Sequence, residues 1–161
     1  MFSRPITPIA LIALVVVTID RLTKIWAENS LTLGVSKPVI GELLQFLLVY
    51  NPGAAFSIFT NATWFFTIFS ATIAAYILYK AKDIKSKLWQ VGAGGILGGA
   101  IGNLIDRFIN APGFPNGHVT DFLKLPNWPV FNIADSSVFV SAIFLVIVSM
   151  RGINFDGSKD V

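Results

Sequence analysis

The sequence has no cysteine, a single histidine and few charged residues, and each shortage excludes a class of function. Without cysteine the chain can form no disulfide, thiol nucleophile or thiolate metal site. With His118 as the single histidine, zinc catalysis of the usual kind is not expected, and we predict neither a metal nor another cofactor. Charged residues make up 13%, against about 25% in soluble domains, which is too few for a surface that faces water throughout.

The sequence is instead rich in apolar residues. They make up 54% of the 161 residues, and the mean hydropathy of +0.70 indicates that lipid is the solvent for much of the chain. A membrane-spanning helix needs about 20 mainly apolar residues, and four segments qualify. These are residues 8–27, 62–79, 89–108 and 134–150. We therefore predict an all-α membrane protein, a single domain with four transmembrane helices.

Four lysines between the second and third segments set the predicted orientation. They are Lys80, Lys82, Lys85 and Lys87. Cytoplasmic loops carry an excess of lysine and arginine, so this loop and both termini are predicted to be cytoplasmic. The net charge of +3 is modest and the lysine cluster is short, so a nucleic-acid partner is not expected.

Residues 31–51 lie on the opposite side of the membrane in this topology. The sequence favours a turn at Val35–Val39 and one or two β-strands within Leu43–Tyr50, which are apolar and β-tolerant. We therefore predict a small extracytoplasmic β-sheet or loop region at the membrane surface.

The predicted topology gathers polar residues from all four helices at the outer membrane boundary. Ionisable groups at membrane depth are costly and mark a functional site by default. The residues are Asp20, Lys24, Asn51, Asn103, Asp106, Arg107, Asp121 in an outer loop, Asn132 and Asp135.

Asp121 and Asp135 are the candidates for a reacting pair. When two carboxyl groups share a site, one keeps a proton and can act as an acid, while the other is ionised and can take a proton from water. Spacing alone also allows simpler roles. It favours a surface-loop aspartate for Asp121, and Asn132-Ile-Ala-Asp135 matches a capping box at a helix start.

The remaining polar residues have simpler interpretations too. Asp20 and Lys24 are four residues apart and suit an ion pair at the interface. Asn51-Pro-Gly53 suits a tight turn, although the Asn51 amide could also meet a substrate backbone. Arg107 is either a structural anchor or a ligand of a lipid phosphate.

The third segment contains glycines at a spacing of four residues, namely Gly94, Gly98 and Gly102, with Gly95 and Gly99 alongside. Such rows of small residues let membrane helices approach closely. They indicate either close helix packing or a groove for an extended ligand.

Five short motifs follow one another along the chain. They are Asp20-x-x-Thr-Lys24, Asn51-x-Gly-Ala-Ala-Phe56, Gly98-Gly-Ala-x-Gly-Asn103-x-x-Asp-Arg107, Val119-x-Asp-Phe122 and Phe131-Asn-x-Ala-Asp-Ser136. Together they resemble the bacterial lipoprotein signal peptidases, also called signal peptidase II, over roughly residues 20–136. The sequence departs from that pattern at Arg21, where a glutamine-like residue is expected, and at Ser57, where glycine is frequent.

The resemblance implies an aspartic endopeptidase of the bacterial cytoplasmic (inner) membrane. It would remove signal peptides from diacylglyceryl-modified prolipoproteins at the outer membrane face, surrounded by membrane lipid, and be inhibited by globomycin. The resemblance makes Asp121 and Asp135 catalytic. It makes a further set of residues substrate-binding or supporting: Asp20, Lys24, Asn51, Asn103, Asp106, Arg107 and Asn132.

Two other classes of function remain open. A small transporter or ion-conducting protein would also gather polar residues inside a helix bundle. It predicts polar residues through the bilayer midplane, however, and the centres of the four segments are apolar. A non-enzymatic assembly or lipid-binding factor would tolerate the loss of both aspartates.

Overall fold

The computed structural model describes residues 6–53 and 63–159. Its elements in chain order are α1 Ile6–Ser30, β1 Ser36–Ile40, β2 Leu44–Asn51, α2 Thr63–Lys80, α3 Lys87–Ile109, β3 Val119–Lys124 and α4 Ile133–Met150. Within these residues, α1, α3 and α4 are long and apolar enough to cross a membrane. The predicted second segment is also helical, as α2, but α2 is not among those three helices.

Helix α3 lies at the centre and packs against α1, α2 and α4. Its glycines explain how closely these helices approach. A Cβ atom added at Gly98 would lie 2.6 Å from Val16 Cβ on α1, and one added at Gly99 would lie 2.6 Å from Val138 Cγ2 on α4. Neither distance leaves room for a side chain, so the glycine rows serve helix packing on two faces.

Helix α1 shows how side chains divide between the bundle and its surroundings. Leu11, Leu14 and Leu22 are 58–62% exposed, whereas Asp20 and Lys24 are 1% and 0% exposed. Apolar side chains on the outside and charged ones on the inside reverse the order of a soluble helix. This is the arrangement that lipid favours, because a charge facing hydrocarbon is costly.

A three-stranded antiparallel sheet, in the order β1-β2-β3, adjoins the helices. The strand predicted within residues 43–50 is present as β2. The turn predicted at Val35–Val39 is wrong, because that stretch forms most of β1. The chain reverses instead near Gly41, whose φ of 53° lies in the left-handed region that favours glycine.

Asp121 lies on β3 and not in the loop that was predicted for it. Strand β3 pairs with β2, with Val49 opposite Asp121, and its other edge bonds to the backbone of Phe131. The pairing joins segments about 70 residues apart, which local sequence patterns do not report. Successive side chains of a strand point to opposite faces of the sheet. Phe122 points towards Trp26, with ring centroids 6.2 Å apart, so Asp121 points to the opposite face.

Candidate active site

The Asp121 carboxylate accepts hydrogen bonds from two asparagine side chains. Asn51 Nδ2 donates to Oδ2 at 2.8 Å, and Asn132 Nδ2 donates to Oδ1 at 2.7 Å. Asn51 also accepts a hydrogen bond from the Gly53 N–H through its own Oδ1, at 2.8 Å. The turn predicted for Asn51 is therefore present, and the same turn aims the Asn51 amide at Asp121.

Asp135 lies in the first turn of α4 and takes part in a capping box with Asn132. Asn132 Oδ1 accepts from the Asp135 N–H at 2.9 Å, and Asp135 Oδ2 accepts from the Asn132 N–H at 3.2 Å. The other oxygen, Oδ1, accepts from Asn103 Nδ2 at 2.7 Å. The predicted cap is therefore real, and the same side chain also meets the polar end of α3. Asn132 contacts both aspartates.

A buried ion cluster lies behind the two aspartates. Lys24 Nζ is 2.8 Å from Asp20 Oδ2, 2.8 Å from Asp106 Oδ2 and 3.1 Å from Asn103 Oδ1. The ion pair predicted for Asp20 and Lys24 is present, but both residues are at most 1% exposed, so the pair is part of a buried cluster and is not an ordinary surface pair. The cluster ties α1 to α3 directly below the site.

The carboxylates of this cluster also hold neighbouring backbone in place. Asp20 Oδ1 accepts from the Ala134 N–H at 2.9 Å, which attaches the start of α4 to α1. Asp106 Oδ2 accepts from the Thr120 N–H at 3.0 Å, beside Asp121 on β3. The cluster therefore positions both segments that carry the two site aspartates.

Arg107 is buried, at 5% exposed, and donates from Nη1 to the Gly117 carbonyl oxygen at 3.1 Å. Within residues 6–53 and 63–159, its Nε–H has no hydrogen-bond partner. This burial places the guanidinium inside the protein, where it acts as an anchor for the loop before β3. An unpaired buried donor is costly, and Arg107 itself lines the cavity described next.

A cavity of about 320 Å³ opens between the helices and the sheet. Five of the nine predicted site residues line it: Asn51, Asn103, Arg107, Asp121 and Asp135. The other four, Asp20, Lys24, Asp106 and Asn132, lie behind these and hold them. The segment Ala54–Phe56, which belongs to one of the sequence motifs, lies outside the described residues.

Sequence reasoning missed several side chains that line the cavity, among them Phe66, Ser70 and Trp128. Ser70 is a polar residue within an apolar helix, which was a usable signal. Tryptophan is common at membrane interfaces, and nothing in the sequence separates that role from the lining of a cavity for Trp128. A second cavity of about 190 Å³ between α2, α3 and α4 shares Ser70, Asn103 and Asp135 with the first.

Burial raises the pKa of Asp121 to about 8, and the nearby charge of Asp135 adds to the increase. The hydrogen bond from Asn51, the charge of Lys24 and the hydrogen bond from Asn132 act in the opposite direction. Asp121 therefore retains a proton near neutral pH. An acid of this kind, beside a second carboxyl group in a cavity, suits proton transfer to a bound molecule.

Charged side chains of both signs surround the two aspartates, and Lys24 and Arg21 both pair with Asp106. Among the described residues, no three His, Asp or Glu side chains form a group suited to a metal ion.

Residues 12–151 match the family model described as signal peptidase (SPase) II. The chain belongs to the signal peptidase II family. The lipoprotein signal peptidase of Mycobacterium leprae (strain Br4923) is 47% identical to this family member over 145 residues, which cover 90% of the chain and 72% of the relative. The lipoprotein signal peptidase of Rhodococcus jostii (strain RHA1) is 43% identical over 148 residues, which cover 92% of the chain and 75% of that relative.

Two solved structures of a bacterial membrane enzyme share the fold of this signal peptidase II family member. One, determined in meso at 2.3 Å, has a TM-score of 0.77 and 30% sequence identity and covers 94% of this chain and 92% of its own. The other, determined at 1.9 Å, has a TM-score of 0.76 and 31% sequence identity. The match covers 88% of this chain and 91% of the solved chain. Family and fold therefore agree over most of the chain.

Proposed function

We propose that Asp121 and Asp135 are the catalytic pair with which this signal peptidase II family member removes signal peptides from prolipoproteins, as an aspartic endopeptidase. One observation carries the proposal: the two carboxyl groups line one cavity, and the pKa of Asp121 is raised to about 8 partly by the charge of Asp135. Two interacting carboxyl groups that share a proton can cleave an amide with neither a metal nor a covalent intermediate.

The protonation pattern suggests how the pair divides the work. The Asp135 carboxylate takes a proton from water as the water oxygen bonds to the scissile carbonyl carbon. Asp121 donates its proton to the carbonyl oxygen. The tetrahedral intermediate then collapses as the C–N bond breaks. The leaving amine takes the proton from Asp135, and Asp121 regains its proton from the hydroxyl group.

We assign substrate contacts to the remaining polar groups of the cavity. Arg107 lines the cavity, and its guanidinium group suits a peptide carbonyl oxygen. Asn51 lies at the cavity edge, where its amide can meet substrate backbone as well as Asp121. The substrate class is a diacylglyceryl-modified prolipoprotein, whose acyl chains stay in the surrounding lipid.

The proposed location is the bacterial cytoplasmic (inner) membrane, with four spans and both termini in the cytoplasm. The fourth span is α2, whose 18 residues extend about 27 Å at 1.5 Å each, close to the bilayer core of about 30 Å. The lysines at 80, 82, 85 and 87 flank the loop between α2 and α3, opposite the end that carries the site. The site then faces the outer side.

A transporter or ion-conducting protein is less consistent with the bundle. Its network of charged side chains would continue along the helices, whereas the buried core cluster beside the middle of α3 contains apolar residues. Ala93, Leu97 and Ala100 are buried there, together with Ala13 and Ala74 from neighbouring helices. The charged cluster is confined to the end of the bundle beside the sheet.

The proposal is tested with the purified full chain in detergent and a diacylglyceryl-modified prolipoprotein, with cleavage followed by the mass of the product. Asp121→Asn and Asp135→Asn should each lower turnover by roughly 10³-fold or more. Asp83→Asn is the matched control, because Asp83 is 41% exposed and pairs with Lys80 at the other end of the bundle. Globomycin should inhibit the unmodified chain. Normal turnover by either dyad variant would refute the pair.

A further inference from the structure

Lys24 lies behind the cavity and contacts neither aspartate of the proposed pair. It contacts Asn103, and Asn103 contacts Asp135. We infer that Lys24 is a positioning residue that fixes the Asn103 amide with its N–H directed at Asp135. The inference rests on the proposed function, because it concerns the same pair of carboxyl groups.

The Lys24 ammonium group can donate three hydrogen bonds and accept none. Its three neighbours are the carboxylates of Asp20 and Asp106, each at 2.8 Å, and Asn103 Oδ1 at 3.1 Å. The side chain is 0% exposed, so water does not compete for these contacts. Two carboxylates on different helices therefore hold the nitrogen, and its third proton points to Asn103.

The two ends of the Asn103 amide are chemically different. Oδ1 accepts hydrogen bonds from Lys24 Nζ and from Asn132 Nδ2, each at 3.1 Å. The opposite orientation would place the amide N–H group against these two donors and the amide oxygen against the Asp135 carboxylate. Because donors repel donors, only the observed orientation is stable, and Nδ2 donates to Asp135 Oδ1 at 2.7 Å.

The contacts continue from Asp135 through Asn132 to Asp121. Asn132 is oriented in the same way, because its Oδ1 accepts from the Asp135 N–H and its Nδ2 is left to donate to Asp121. Lys24, Asn103, Asp135, Asn132 and Asp121 thus form one relay of directed hydrogen bonds. Each aspartate receives a donor from a fixed amide, and Lys24 directs the first amide of the series.

The charged groups that face this relay come from every element packed around it. They are Asp20, Arg21 and Lys24 on α1, Asp106 and Arg107 on α3, Asp121 on β3 and Asp135 on α4. The positive charge of Lys24 lowers the pKa of Asp121, so its removal raises that pKa. Arg21 contacts Asp106 at 3.2 Å but makes no contact with Asn103 among those described.

The test compares Lys24→Met with Arg21→Gln in the prolipoprotein cleavage assay over a range of pH. Both substitutions remove one positive charge that pairs with Asp106, but only the first releases Asn103. We expect Lys24→Met to lower the turnover rate about 10- to 100-fold with little change in KM, because Lys24 touches no substrate. We also expect it to move the alkaline midpoint of the pH profile upward by about one unit. Arg21→Gln should leave that midpoint at its original pH.

Two outcomes would overturn the inference: a rate that falls equally at every pH with the midpoint unmoved, or an equal midpoint shift in both variants. If Lys24→Met does not fold, the variant that combines it with Asp20→Asn removes one charge of each sign, and the same criteria apply. Asp121→Asn in the same assay separates the two claims. If it cleaves normally, the proposed function fails, and if it is inactive while Lys24→Met behaves as unmodified protein, only the inference fails.

Discussion

The raised pKa of Asp121 offers the most direct test of the proposed pair, through the variant Asp135→Asn. The substitution removes the negative charge of Asp135 and preserves the size of the side chain. The new amide oxygen can still accept the hydrogen bond that Asn103 donates to Asp135, although the bond from the Asn132 N–H to the second carboxylate oxygen is lost. The main change that Asp121 experiences is therefore the loss of a neighbouring charge.

The size of the effect follows from the two causes of the raised pKa. Burial is the larger cause and is unchanged by the substitution, whereas the repulsion by Asp135 disappears. A charged neighbour in the same site shifts the pKa of a carboxyl group by about one to three units. We expect the pKa of Asp121 to fall from about 8 by roughly that amount. It should remain above the ordinary 3.8 because burial persists.

The measurement is a pH titration by infrared difference spectroscopy, which detects the carbonyl stretch of a protonated carboxyl group. The Asp121 band is identified by its loss in Asp121→Asn. Asp83→Asn, at the opposite end of the bundle, is the control and should leave the Asp121 midpoint unchanged. A midpoint that stays in place or rises in Asp135→Asn would show that the two carboxyl groups do not interact, and the reasoning about a shared proton would be wrong.

Three further predictions concern activity and stability. Cleavage by the unmodified chain should decline as pH rises through about 8, because Asp121 is protonated below its raised pKa and ionised above it, and pH–rate measurements test this. Asn51→Ala should move that decline to higher pH, because the hydrogen bond from Asn51 lowers the pKa of Asp121; an unmoved or lower midpoint would contradict this. Gly98→Ala should cost about 1–3 kcal/mol of stability in thermal unfolding in detergent, because the new Cβ would lie 2.6 Å from Val16 Cβ. The outward-facing Leu11→Ala should cost less, and an equal loss would count against the packing argument.

The helices were predictable because the apolar length that a bilayer requires is a local property of the chain. Each predicted segment overlaps a helix, and the largest difference lies at the end of α1, residue 27 against Ser30. Capping was local as well, since Asn132 and Asp135 are three residues apart. The strand in residues 44–51 was anticipated from its β-tolerant composition, but β3 was not. Asp121 interrupts the apolar pattern of β3, and β3 pairs with β2, which is distant in the sequence.

The sequence alone therefore determined a membrane protein with polar groups collected at one boundary, and its ordered motifs pointed to the signal peptidase II family. Tertiary structure decided which of those groups touch. Lys24 and Asn103 are 79 residues apart, and Asn51 and Asp121 are 70 residues apart. The first contact forms because α1 packs closely against the glycines of α3, and the second forms because β2 pairs with β3. The reason is physical: hydrogen-bond direction and the burial that raises a pKa depend on distances between segments, which residue order does not specify.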